Sequence, residues 1–95
     1  MLSENQINII IDTLKPYNPT KIGIFGSFAR GENSPDSDID ILYSFKNTIS
    51  LFKLVGIQLN LESQLNKKVD LVSEEYIHPK LKPYILNDLK IIYGN

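Results

Sequence analysis

Gly26-Ser27-Phe28-Ala29-Arg30-Gly31-Glu32-Asn33-Ser34-Pro35-Asp36-Ser37-Asp38-Ile39-Asp40 lies between two short apolar segments, Lys21 to Phe25 and Ile41 to Phe45. Lys21 to Phe25 is β-branched and bounded by Pro19 and Gly26, which favours a strand. Asp38 to Phe45 alternates polar and apolar before becoming wholly apolar, the pattern of a strand that emerges from the core at its start. Gly26 to Ser37 is then a loop, with room for one helical turn at Ser27 to Arg30. Gly26 ends a strand without a side chain, so backbone N–H groups can approach an anion there, and Ser27 adds a hydroxyl. That is a phosphate cradle. Asp38 and Asp40, two apart on a strand, project from one face roughly 7 Å apart at their Cα atoms. Such carboxylates repel unless a cation bridges them, and Mg²⁺ commonly binds one or two carboxylates together with substrate phosphates. Singly, a Gly-Ser turn is usually only a turn and an Asp-x-Asp run a solvated strand start. In this order, with the chain's only arginine between them, they point to chemistry.

Working outward, Ser3 and Gln6 have capping-box spacing, and Ile7, Ile10, Ile11 and Leu14 share a helical face, so a helix is expected from residue 3 to about 16, ended by Pro16 and Pro19. Thr48 or Ser50 can cap a second helix running to about Lys67, with Leu51, Leu54, Val55, Leu61 and Leu65 on one side. Phe52, Ile57 and Leu59 widen its apolar arc and form a candidate surface for a partner. Val69 to Val72 reads as a strand, Pro79 to Asn87 as a short helix and Ile91 to Tyr93 as a last strand. No repeat or linker divides the chain, so residues 1–95 are expected to form one α/β (α+β) domain, a small mixed sheet flanked by helices.

Ninety-five residues leave room for one thin core. The absence of cysteine excludes disulfides, thiolate metal sites and a cysteine nucleophile, and fits the cytoplasm. No apolar run is long enough to span a membrane, and no secretory signal opens the chain. Lys and Arg number 10 against 11 Asp and Glu, a net charge of −1, which disfavours nucleic acid as partner. His78, beside Pro79, reads as a turn residue.

Gly26-Ser27, ten residues, then Asp38-Ile39-Asp40 resembles the signature of the DNA polymerase β superfamily of nucleotidyltransferases, and Gly26 to Leu42 resembles its minimal nucleotidyltransferase branch. The likeness extends through the leading helix and Lys21 to Phe25 to Val69-Asp70-Leu71-Val72, where that family places a third carboxylate. It implies a polymerase-β-type fold, two Mg²⁺ ions held by Asp38, Asp40 and Asp70, and a triphosphate gripped by Gly26 and Ser27. Asp70 would also help take the acceptor's proton. Arg30 would either neutralise phosphate or shape the loop. The implied reaction moves a nucleoside monophosphate, AMP from ATP, onto a hydroxyl. Proteins resembling this one act as antitoxins of a type VII-like kind, adenylylating a tyrosine of a HEPN-domain toxin. A non-catalytic module that occludes its partner, and transfer to a small molecule, are the alternatives.

Overall fold

The computed structural model describes residues 2–94. Its elements run α1 (Glu4–Leu14), β1 (Pro19–Phe25), α2 (Ser27–Arg30), β2 (Ile39–Phe45), α3 (Leu51–Leu65), β3 (Val69–Ser73), α4 (Lys82–Asp88) and β4 (Lys90–Gly94). The four strands form one mixed sheet in the order β3-β2-β1-β4. β1 is antiparallel to both β2 and β4, and β2 is parallel to β3. A parallel pair needs a long crossover, and α3 supplies it.

Local chemistry explains the boundaries. Ser3 and Gln6 close the expected capping box at the start of α1. The helix ends at Leu14 rather than residue 16, because Pro16 opens a tight 3₁₀ turn, Lys15–Tyr17, that Asn18 terminates in the left-handed conformation. Ser50 caps α3 by accepting from the Lys53 N–H, and Asn66, again left-handed, stops it two residues short of the expected Lys67. The last helix starts at Lys82, with Pro83 in its first turn and Pro79 left outside.

One sheet face carries the core. Ile22 and Ile24 of β1, Ile39 and Ile41 of β2 and Val69 of β3 meet Ile10 and Leu14 of α1 and Ile57, Leu61 and Leu65 of α3. Side chains alternate across a strand, so Asp40 and Leu42 of β2 stand on the opposite face, Asp40 level with Phe25 of β1 and Asp70 of β3, and Leu42 with Gly23 and Val72. α4 and its end partly cover that second face: a Cβ at Gly23 would run into the Leu89 side chain. Lower on this face, the Lys21 ammonium donates to Glu74 at 2.7 Å, tying β1 to the segment after β3. Among the described residues no helix is long and apolar enough to cross a membrane.

The partner surface expected from Phe52, Ile57 and Leu59 needs correction. Ile57 is 3% exposed and belongs to the core, whereas Phe52 is 93% and Leu59 60% exposed. Leu51 and Val55, expected on the inward stripe, are exposed as well. A single 15-residue helix cannot turn its whole apolar arc to one sheet.

Candidate active site

The end of β1 and the start of β2 bring the candidate residues together. Gly26 follows directly on Phe25, which pairs with Asp40. It has φ +76°, a conformation that favours glycine, and a Cβ there would strike the Asp40 carboxylate. Two constraints therefore select glycine at this position. α2 begins at Ser27, the expected single turn, and its Phe28 and Ala29 are buried, so core packing anchors the loop beside the half-buried Ser27.

Asp40 and Asp70 are direct register partners on parallel strands. Asp38 lies in the loop just before β2 rather than within the strand, and is exposed. The structure thus gathers three carboxylates at one end of the sheet, on adjoining backbone segments. Their mutual influence is visible at Asp40, whose carboxyl is pushed up from 3.8 to about 6 by desolvation, then by the charges of Asp70 and Asp38, with Arg30 opposing. Among the described residues no group of three or more His, Cys, Asp or Glu side chains is placed so that it could hold a metal ion as it stands. The donor set nevertheless fits Mg²⁺: it is all carboxylate oxygen, and a cation between these groups would relieve their repulsion.

Arg30 is committed elsewhere. Its Nε donates to Glu32 at 2.7 Å and its guanidinium to Asp88 at 2.6 Å, and both contacts raise its pKa. The loop-shaping alternative is thus realised in this conformation, with Arg30 fastening α2 to the end of α4. Nothing in the sequence around Asp88 marks it as a partner for Arg30, 58 residues away. Lys67 was also missed: read as a charged helix end, it donates to the Pro35 carbonyl at 2.9 Å and lies over the Phe28 ring at 5.6 Å, holding the loop between cradle and carboxylates. His78 is the expected turn residue, its Nδ1 accepting from the Lys80 N–H.

A cavity of about 250 Å³, lined by Tyr43, Phe45, Ile49, Leu54 and Tyr76 among others, opens at the other end of β2. Five residue-to-residue steps along the strand, about 17 Å, separate Asp40 from Phe45. The carboxylate site is an open edge and owes nothing to that cavity.

A family model described as a nucleotidyltransferase domain matches residues 5–92. A Methanocaldococcus jannaschii protein named for protein adenylyltransferase activity is 44% identical over 79 residues, covering 83% of this chain and 85% of its own. The protein adenylyltransferase MntA of Thermococcus cleftensis is 33% identical over 94 residues, covering 94% of this chain and 95% of its own. In a crystal structure of a toxin–antitoxin with AMP-PNP, a chain 28% identical to this one matches it with a TM-score of 0.85, over 99% of this chain and 75% of that one.

Proposed function

The chain belongs to the nucleotidyltransferase domain family, and from that premise we propose that it transfers AMP from ATP to a hydroxyl of a protein partner, a tyrosine of a HEPN-type toxin that it thereby silences in the cytoplasm. The observation that carries this reading is the fit of Gly26 against Asp40, with Asp70 on the paired position of the next strand. A cradle whose floor is a carboxylate suits a metal-bound triphosphate and has no evident use in a structural turn. Relatives named as protein adenylyltransferases and the toxin–antitoxin neighbour support the acceptor class. So does the near-neutral charge, which offers little to nucleic acid.

In this reading Asp38, Asp40 and Asp70 would hold two Mg²⁺ ions, whose charge would stabilise the attacking and leaving oxygens. Backbone N–H groups at Gly26 and the Ser27 hydroxyl donate to the β- and γ-phosphates. Asp70 accepts the acceptor's hydroxyl proton. The acceptor oxygen bonds to the α-phosphorus as the bond to the β-phosphate oxygen breaks, and pyrophosphate leaves. Arg30, if freed from Asp88, neutralises phosphate charge.

The test is incubation with α-labelled ATP, Mg²⁺ and lysate of the protein's own cells, then intact-mass analysis of the labelled band. A protein heavier by whole AMP units is expected, and none with Asp40→Asn. Label confined to RNA, or a partner silenced without modification, would overturn the reading.

A further inference from the structure

We propose that Glu62 and Gln58 of α3 are positioning residues that hold the Asp70 carboxylate in register with Asp40. The inference rests on the reading of Asp70 as a metal-holding carboxylate. β3 lies at the edge of the sheet, paired only with β2. The Lys68 carbonyl accepts from the Ile39 N–H, so the next residue, Val69, turns its peptide groups to the open side. There the Val69 N–H donates to Glu62 Oε2 at 2.9 Å, and the Val69 carbonyl accepts from Gln58 Nε2 at 3.0 Å, both contacts partly buried.

Gln58 and Glu62 are one turn apart on α3 and so share a face. Together they give Val69 the donor and acceptor that a fifth strand would have supplied. The need for them follows from what stands next in the chain. Like charges directly opposite on paired strands are destabilising, and Asp70 faces Asp40. Repulsion between them pushes a five-residue edge strand outward, and of its residues only Val69 is buried. A grip on Val69 from the open side opposes that push one residue from the carboxylate itself.

Mn²⁺ binding in the presence of AMP-PNP, followed by electron paramagnetic resonance, tests the proposal alongside thermal melting. The parent should bind two ions, and Asp70→Asn should lose the weaker. Glu62→Ala and Gln58→Ala should weaken that same ion measurably, by up to about 10- to 100-fold, the range for losing a hydrogen bond to the ligand itself, while the tighter ion is unaffected. Glu62→Gln keeps an acceptor oxygen and should restore parent-like binding of the weaker ion. Unchanged binding in the alanine variants, parallel loss of both ions, or failure of Glu62→Gln to restore binding would each overturn the positioning role. Binding by Asp70→Asn that matches the parent would instead overturn the assignment of Asp70, and this inference with it.

Discussion

At Asp40 the requirements of the site and of the fold pull apart. Its carboxyl is raised to about 6 from 3.8, so the folded state binds that proton more tightly than the unfolded one does. The metal-free protein therefore loses stability as pH rises from 3.8 to about 6, and the loss persists above that window. Asp40→Asn removes the cost: in chelator at neutral pH the variant should melt above the parent, with the gap closing as pH falls toward 3.8, while AMP transfer drops by orders of magnitude. An equal or lower melting temperature at neutral pH would contradict the origin assigned to the shift. Gly26→Ala should do the opposite, costing about 1 to 3 kcal/mol through the positive φ alone, and more where the methyl meets Asp40, as read by the denaturant midpoint. Ser27→Ala should raise the dissociation constant of a non-hydrolysable ATP analogue with Mg²⁺ by about ten- to a hundredfold, the worth of one hydrogen bond to a charged group. An unchanged constant in calorimetric titration would return Ser27 to a plain turn residue.

Among the elements, α3 divides its apolar residues between two environments, and substitution separates them. Ile57→Ala should cost about 2 to 5 kcal/mol, since Ile57 lies in the core. Phe52→Ser should change stability by no more than about 0.5 kcal/mol, because that ring stands in solvent. Equal costs in chemical denaturation would show that Phe52 is buried after all. Helical periodicity revealed the helix but not which part of so wide an apolar arc faces the sheet, because that depends on how α3 crosses β2 and β3. The strands were more legible: Lys21 to Phe25 and the run into Phe45 are short and bracketed by breakers, and both are strands, although β1 begins two residues earlier, at Pro19, and β2 one residue later than Asp38. The supports of the site were not legible. Glu62, Gln58, Lys67 and Asp88 act through contacts across α3, β3, the loop and α4, and nothing in their local sequence separates them from ordinary surface residues.

Across the whole molecule, the site end of the sheet depends on segments far apart in the chain. β1 leads into the cradle and β2 carries Asp40, while β4, which follows α4, lines the other edge of β1. Removing residues 90–94 should leave β1, with Ile22 and Ile24, as an unprotected edge, and the shortened chain should sediment as aggregates where the parent stays monodisperse. A soluble truncated chain with the parent's melting temperature would show β4 to be dispensable. The same pairing sets a clock during synthesis. Residues 19–25 leave the ribosome long before residues 90–94 exist, and at about 5 to 20 residues per second the interval is several seconds. Throughout it the strand that leads into the proposed phosphate cradle has one flank unpaired, so a nascent chain is sticky before its site is complete, and early capture by a chaperone would protect it.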